Sequence, residues 1–320
     1  MDILIKEIKY MVFVCIAVIS ILLVLAVSYG CYRFVFYTPN DKVPDDYELS
    51  DPRQPEEEKA RCIGMIRKIN EKEFERVYIR SFDGLRLTGR YYHVDDKAPL
   101  VIMFHGYTGT PSRDFCGGAD ICLSSGYNAL LIEMRAHCGS EGHTISFGIN
   151  ERRDVLSWVE YAKNRFGEDK KMLIVGISMG AATVLMSGAL CLPANVCGII
   201  ADCPYAYPEK IIKHVGEQRD LPIGLLFPFL RIGARLFGGF DLLSADPVSA
   251  VKDLKIPVMI IHGEDDDFVP PEMSEEIEKA NPEHVKRYTF PGARHGTSYL
   301  QDTERYTKLV KDFYAAAFGE

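Results

Sequence analysis

The chain has 320 residues, of which 47% are hydrophobic and 26% charged, so it can bury a large core without disulfide or metal cross-links. Ordinary proportions of glycine, proline and apolar residues exclude disorder, a collagen-like helix and a coiled coil as the main architecture. The formal net charge of −8 lacks the basic excess with which proteins bind a phosphate backbone, which argues against a nucleic-acid partner.

The N-terminal segment is strongly apolar. Twenty-three residues without a charge lie between Lys9 and Arg33, and as a helix they would span about 35 Å. This length crosses the hydrocarbon core of a bilayer, so we predict a tail over 1–9 and a transmembrane helix over 10–32. A cleaved signal peptide ending near Ala26-Val27-Ser28 is the alternative, although the apolar run exceeds the usual length of the apolar core of a signal peptide.

The charges that flank this span bear on its orientation. Lys6 and Lys9 precede it, and only Arg33 follows it closely. Under the positive-inside rule, this distribution favours a single-pass membrane protein with a cytoplasmic N-terminus and an external globular domain.

An acidic stretch punctuated by prolines comes next. Residues 41–59 hold eight acids and three bases, a net charge of −5, with prolines at positions 44, 52 and 55. This composition is typical of a solvated linker. We therefore predict a juxtamembrane segment and linker over 33–70, followed by the globular domain over 71–320.

Nine cysteines are scattered along the chain, at positions 15, 31, 62, 116, 122, 138, 191, 197 and 203. They include no Cys-x-x-Cys pair and no Cys/His spacing typical of zinc, so neither a metal site nor a disulfide framework is predicted. We interpret them as small buried hydrophobic residues or free thiols, which are typical of a reducing compartment or an anaerobic exterior.

The rest of the chain alternates between short apolar runs and helix-length segments. A β-hairpin is predicted from residues 74–80 and 85–94, which flank an Asp-Gly turn. The following runs are apolar on both faces: 100–104, 129–133, 172–177, 196–201 and 258–261. Because helix-length segments such as 150–166 connect them, we predict a mostly parallel sheet with helices on both faces.

One segment interrupts this alternation. About forty residues, 205–246, separate two predicted strands and include the apolar run LPIGLLFPFL at 221–230. A loop of that length without structure is improbable, so an inserted helical cap is predicted. Its apolar side chains would either line a substrate pocket or form the core of the cap itself.

A candidate nucleophile stands at a predicted strand–helix junction. Gly176-Ile177-Ser178-Met179-Gly180 ends the run 172–177 and opens a predicted helix over 181–190. A serine on such a tight turn exposes its hydroxyl at the carboxyl edge of the sheet, and flanking glycines avoid collisions with the neighbouring strand and helix. Because a serine hydroxyl is a poor nucleophile until a base removes its proton, a histidine and an orienting acid are expected further on.

Both partners are found at the ends of later strands. HGEDDDFVP at 262–270 follows the run 258–261, and PGARHG at 291–296, with His295, follows a strand-like segment. From position alone, His262 and His105 could also act as the base. Asp202, at the end of the run 196–201, could also act as the acid.

These motifs resemble those of the α/β-hydrolase family, from about residue 74 to the C-terminus. The resemblance implies that Ser178, on the family's elbow motif, is the nucleophile. The acid motif His-Gly-x-x-Asp-x-x-Val-Pro selects Asp266 among four consecutive acids, and the family's terminal histidine corresponds to His295. The implied architecture is an α/β-hydrolase fold with an N-terminal hairpin and an inserted cap.

Two further motifs carry the resemblance. After His105-Gly106, the backbone N–H of Tyr107 would join that of Met179 as an oxyanion hole. Residues 135–142 resemble the family's Arg-x-His-Gly-x-Ser-x-Gly loop, with Cys138 where the family has glycine.

The function implied by the resemblance is hydrolysis of a carboxylic ester through an acyl-enzyme on Ser178, without a metal or organic cofactor. The expected partners are a small-molecule or amphiphilic ester and the membrane that holds the N-terminal helix. Two alternatives remain open: a serine peptidase of the prolyl oligopeptidase type, and a catalytically inactive, membrane-tethered binding module on the same scaffold.

Overall fold

The computed structural model describes residues 2–39, 46–48 and 54–319. Residues 41–45 and 49–53 of the predicted acidic linker therefore lie outside the described residues. The helices of the described chain are α1 (Asp2–Val35), α2 (Glu56–Asn70), α3 (Pro111–Asp114), α4 (Cys116–Ser124), α5 (Glu151–Phe166), α6 (Met179–Ser187), α7 (Pro208–Gln218), α8 (Ile223–Leu236), α9 (Pro247–Val251), α10 (Pro271–Ala280), α11 (Ser298–Gln301) and α12 (Thr303–Phe318).

The strands form one sheet over the described residues, in the spatial order β1-β2-β4-β3-β5-β6-β7-β8. Their bounds are β1 (Glu75–Arg80), β2 (Arg86–Tyr92), β3 (Leu100–Phe104), β4 (Asn128–Glu133), β5 (Met172–Ile177), β6 (Val196–Asp202), β7 (Val258–Gly263) and β8 (Val285–Phe290). The hairpin β1–β2 and the pair β2–β4 are antiparallel, and the remaining neighbours are parallel. The predicted mostly parallel sheet with an N-terminal hairpin is confirmed.

Apolar side chains cover both faces of the sheet. Along β3, Ile102 joins a cluster with α5 and α6, whereas Val101 and Met103 join a cluster with α2, α4 and α12. Successive side chains of a strand point to opposite faces, so a strand between two helical layers must be apolar throughout. This is why the central runs are apolar without alternation.

The second half of the predicted linker is a helix. The sequence predicts a linker up to residue 70, whereas α2 occupies Glu56–Asn70 and contacts α4. Its glutamates at 56–58 lie in the first turn, where negative charge favours the helix N-terminus. Ile66 and Ile69 are buried against the sheet domain. Three of the eight acids that suggested a linker, those at 56–58, therefore form the first turn of a helix that belongs to the globular domain.

The segment 205–246 contains helices α7 and α8, as predicted for an inserted cap. Helix α7 begins with Pro208 at its first position, and Ile211 and Ile212 are buried. Helix α8 contains Pro228 in its interior and buries Leu230 and Ala234. These two helices contact each other, and α8 also contacts α1.

Helix α1 is longer than the predicted span 10–32, and its two ends have different surroundings. Residues 3–24 are almost entirely exposed, and the helix is long and apolar enough to cross a membrane. By contrast, Ser28, Tyr32 and Phe36 are buried against the rest of the chain. Residues 36–38 also pair with 143–145 through backbone hydrogen bonds. The end of the helix is thus part of the globular domain.

We predict that Ile66→Ala, in α2, lowers the free energy of unfolding by about 2–5 kcal/mol because it leaves a cavity in the core. The urea midpoint of the full chain in detergent measures this loss. Glu57→Ala, on the exposed side of the same helix, is the control and should shift the midpoint little. An unchanged midpoint for Ile66→Ala would show that α2 is not part of the core.

Candidate active site

Ser178 lies on the turn between β5 and α6, with φ 54° and ψ −116°. A Cβ atom on Gly176 would overlap the carbonyl of Gly180, and one on Gly180 would overlap the carbonyl of Phe104 in the adjacent strand. Both positions that flank Ser178 can therefore be occupied only by glycine. This backbone strain places the hydroxyl of Ser178 at the carboxyl edge of the sheet.

Three predicted residues meet at this edge. The Nε2 atom of His295 lies 2.9 Å from the Oγ atom of Ser178, and Nδ1 of His295 lies 2.7 Å from Oδ2 of Asp266. Asp266 is in the loop after β7 and His295 in the loop after β8. Since the carboxyl ends of parallel strands share one edge, residues far apart in sequence form one hydrogen-bonded chain.

The carboxylate of Asp266 is buried and held by several donors. Its Oδ1 accepts the backbone N–H groups of Phe268 and Val269, at 3.0 and 2.8 Å. Burial alone would raise the pKa of Asp266, but the charge of His295 and hydrogen bonds from His262 and His295 outweigh it and hold the pKa well below its usual range. The carboxyl group is therefore ionised at neutral pH.

The pKa of His295, in contrast to that of Asp266, is raised. Burial lowers its pKa, but the charge of Asp266 and the hydrogen bond to it are stronger, so the pKa of His295 lies above its ordinary value of 6.5. When His295 is neutral and its Nδ1–H group donates to Asp266, the lone pair of Nε2 is free to accept the proton of the Ser178 hydroxyl.

The alternative bases occupy structural positions. Nε2 of His262 donates to the carbonyl of Val269 at 2.9 Å and so braces the loop that carries Asp266. His105 bonds its own neighbour, the carbonyl of Gly106, at 2.9 Å through Nδ1, and burial lowers its pKa to about 4. Both rings therefore serve the backbone around the site.

The alternative acid, Asp202, is directed elsewhere. Its Oδ2 accepts the hydroxyl of Tyr306 at 2.8 Å. Burial raises the pKa of Asp202 to about 6, and the hydrogen bond from Tyr306 offsets this only in part. The sequence showed no sign of the pair with Tyr306, because the two residues are separated by 104 positions and belong to different layers.

The loop after β3 is fixed on both sides of Tyr107. The N–H of Gly106 donates to Asp114 at 2.8 Å, and the N–H of Thr108 donates to Nε2 of His137 at 3.1 Å. Within the described residues, no hydrogen bond engages the backbone N–H of Tyr107 or of Met179. Met179 is the first residue of α6, where N–H groups are free to receive an anion.

A buried arginine braces the neighbouring loop. Arg135 donates to Asp154 at 2.6 and 2.7 Å and to Asp83 of the hairpin turn at 2.9 Å. Cys138, where the family has glycine, adopts a left-handed conformation with φ 49°. The backbone at this position thus has a conformation typical of glycine, which is strained for a residue with a side chain. The turn acid Asp83 was the sequence signal that could have revealed this brace.

One buried thiol lies beside the imidazole. Sγ of Cys203 is 4.0 Å from Nε2 of His295, and burial raises the pKa of this thiol well above its usual value. Donor atoms of Cys203, Asp266 and His295 lie within 4.8 Å of one another, the one such group among the described residues. Because the thiol is neutral and the other two residues bond each other, this group does not fit a metal centre. A neutral thiol is also a poor nucleophile.

A cavity of about 580 Å³ reaches Ser178 and is lined mainly by apolar side chains. Its lining falls into two groups. The deep lining lies between the sheet and α2, α4 and α12, and includes Cys116, Val175, Ile200, Val310 and Tyr314. The cap lining comes from the cap and the end of α1, and includes Val35, Ile211, Val215 and Ile223. This size and character suit a small or amphiphilic organic ligand.

A mostly parallel sheet that carries a serine on such a turn, with a histidine and an acid at the same edge, defines the α/β-hydrolase class of enzymes. The chain belongs to the α/β-hydrolase fold family, whose sequence profile matches residues 99–222. The bifunctional esterase/perhydrolase DCH of Acinetobacter calcoaceticus is 32% identical over 288 residues, covering 74% of this chain and 98% of that protein. The predicted family and hydrolase fold are thus confirmed.

The chain is also similar to a lipase and to an esterase of known structure. The lysophosphatidylserine lipase ABHD12 of Danio rerio is 26% identical over 192 residues, 56% of this chain and 46% of that protein. The chain thus spans about half the length of this relative. The crystal structure of the Pyrococcus furiosus esterase Pf2001 superposes with a TM-score of 0.61 at 24% identity, covering 77% of this chain and 93% of that one. This likeness shows the shared fold.

Proposed function

We propose that the protein hydrolyses carboxylic esters through an acyl-enzyme on Ser178. The observation that carries this proposal is the hydrogen-bonded chain from Ser178 through His295 to Asp266. Among relatives, DCH is an esterase and ABHD12 is a lipase by name, which supports the same reaction class.

In the proposed reaction, Nε2 of His295 accepts the proton of Ser178 as Oγ attacks the ester carbonyl carbon. The carbonyl oxygen becomes an oxyanion that the N–H groups of Tyr107 and Met179 stabilise. His295 then gives its proton to the departing alcohol, which leaves the acyl group on Ser178. A water molecule then attacks the acyl carbon while His295 takes one of its protons. The bond between the acyl carbon and Oγ breaks, His295 returns the proton to Oγ, and the carboxylic acid departs.

Asp266 has an electrostatic and orienting role in this cycle. Its low pKa keeps it ionised, so it stabilises the imidazolium that forms during each proton transfer. Its hydrogen bond also fixes the tautomer that leaves Nε2 of His295 facing Ser178.

For the substrate, we propose an amphiphilic ester with an apolar acyl chain. The deep lining brings apolar side chains of the sheet, α4 and α12 into the same cavity as Ser178. An acyl chain placed there would leave its alcohol part beneath the cap. A strict preference for short, water-soluble esters would contradict this choice of substrate.

We predict that Ser178→Ala lowers hydrolysis of p-nitrophenyl esters by at least about 10⁴-fold, because the nucleophile is removed. A chain-length series from acetate to palmitate measures both the rate and the preferred acyl length. Ser157→Ala, in α5 and remote from the site, is the matched control and should keep full activity.

A fluorophosphonate probe separates the alternatives. Labelling of the parent protein that Ser178→Ala abolishes, together with ester turnover, supports the proposal. Labelling without turnover of any ester would favour the peptidase alternative, and absence of both would favour an inactive binding module.

The raised pKa of His295 predicts the pH profile. Activity needs neutral His295, so the rate should fall as the pH drops through this pKa, with a midpoint above 6.5. Asp266→Asn removes the charge that raises the pKa, so the midpoint should move to lower pH. The maximal rate should fall by about 10³–10⁴-fold because the tautomer is no longer fixed.

Asp202→Asn is the matched control for this experiment, since it changes the other acid near the site. Because the charge of Asp202 also raises the pKa of His295, but less than that of Asp266, this variant should move the acid limb to lower pH by a smaller amount and keep most of the activity. If Asp202→Asn removes activity while Asp266→Asn does not, the assignment of the acid is wrong.

We also propose that α1 crosses the membrane once, with a cytoplasmic N-terminus and an external hydrolase domain. The lysines at 6 and 9 before the span, against Arg33 after it, support this orientation. In cells that express the full chain, an antibody should reach a C-terminal epitope without permeabilisation and an N-terminal epitope only after it. The reverse pattern would contradict the orientation, and loss of the N-terminal epitope from the mature protein would indicate a cleaved signal peptide.

A further inference from the structure

Helix α8 of the cap packs directly on the end of α1. A Cβ atom on Gly233 would overlap the carbonyl of Ser28, so the two helices approach as closely as glycine allows. The ring of Phe237 lies 5.1 Å from that of Tyr29 and 6.1 Å from that of Tyr32. These contacts fix α8 beside one particular stretch of the apolar helix.

That stretch lies near the end of the uncharged part of α1. Ser28 precedes Arg33 by five residues, which is about 8 Å along a helix. The headgroup layer on each side of a bilayer is on the order of 5–8 Å thick. If α1 spans the membrane, as proposed above, a helix packed at Ser28 lies where the acyl chains meet the headgroups.

The outer face of α8 is apolar. Five apolar side chains at helical spacing are exposed or half-buried there, and we call them the α8 stripe: Leu225, Pro228, Phe229, Ile232 and Leu236. Leu225 is 70% exposed and Leu236 is 61% exposed. The helix carries two arginines, Arg231 and Arg235, and no acid of its own, although Arg235 pairs with Asp241. An apolar face together with basic side chains is typical of helices that lie in a membrane interface.

The cavity is connected to the same region. Phe34 and Val35 of α1 and Ile223 of α8 line it together with Ser178. The hydroxyl of Tyr107 donates to the carbonyl of Val35 at 3.0 Å, which ties the loop of the proposed oxyanion hole to the end of α1. The end of α1 and the start of α8 thus form part of the wall of the cavity that contains Ser178.

We propose that α8 is an interfacial helix whose stripe is buried in the lipid bilayer beside α1, and that the cavity receives its ester substrate from that bilayer. This inference rests on the proposed membrane span and on the proposed ester hydrolysis.

Quenching by brominated phosphatidylcholine tests the position of α8. The full chain is reconstituted in vesicles with Trp placed at Leu225→Trp. Ile19→Trp in α1 is the positive control, and Tyr78→Trp, exposed on β1, is the negative control. The parent signal is subtracted, since the single native tryptophan, Trp158, is fully buried.

We expect emission from Leu225→Trp to be quenched at least threefold more than that from Tyr78→Trp, and more by shallow than by deep bromines. Quenching of Ile19→Trp without quenching of Leu225→Trp would overturn the inference but leave the membrane span intact. A blue-shifted but unquenched Leu225→Trp would point to a second protein copy on the stripe and would also overturn it. An unquenched Ile19→Trp would refute the span and the inference with it.

A second experiment tests the substrate route. The double variant Leu225→Asp/Leu236→Asp should hydrolyse a long-chain ester embedded in vesicles at least tenfold more slowly than the parent, yet hydrolyse soluble p-nitrophenyl acetate within twofold of it. Tyr78→Asp/Val94→Asp, on exposed positions away from the cap, is the matched control and should affect neither substrate. Equal loss on both substrates, or no loss on either, would overturn the route. Absence of turnover in the parent itself would instead refute the proposed ester hydrolysis.

Discussion

The hydrogen bond between His295 and Asp266 joins the loops that follow β7 and β8, and the remaining parts of the site are arranged around it. A buried carboxylate is costly unless donors surround it. Here two backbone N–H groups of the same loop donate to Oδ1 of Asp266, and His295 donates to Oδ2. Nε2 of His262 also lies 3.3 Å from Oδ2. The loop that carries Asp266 therefore also supplies the N–H groups that stabilise its charge. A change in the backbone conformation of this loop would change the ionisation of Asp266.

The same reasoning explains the strained turn at Ser178. A left-handed serine is unfavourable by itself, yet the turn is enclosed by β3, β5 and α6 so closely that no side chain fits at Gly176 or Gly180. Packing thus imposes the conformation that exposes the hydroxyl. Arg135 performs a comparable task one loop away, where two carboxylates and a buried guanidinium link the hairpin to α5.

The sequence predicted those features that depend on local pattern. Strands covered on both faces are apolar throughout, so their positions were predicted to within a few residues, and the glycines around Ser178 marked its turn. Other features depend on contacts between distant segments. The acids of α2 resemble a linker because a first helical turn and a solvated chain both favour glutamate, and only the burial of Ile66 and Ile69 distinguishes them. The pairing of Asp202 with Tyr306, and of Gly233 with Ser28, has no signature within either segment.

The end of α1 is joined to the domain by side chains as well as by the chain itself. Phe36 is fully buried, with its ring at 5.2 Å from that of Phe240 and 5.9 Å from that of Phe147. A flexible tether would let a domain tumble freely above its anchor. If α1 spans the membrane as proposed, this packing makes the span and the domain move as one body, which holds the cavity at a constant height and tilt relative to the bilayer plane. An encounter between the cavity and the proposed lipid ester would then be a search in two dimensions, governed by lateral diffusion and by rotation about the membrane normal.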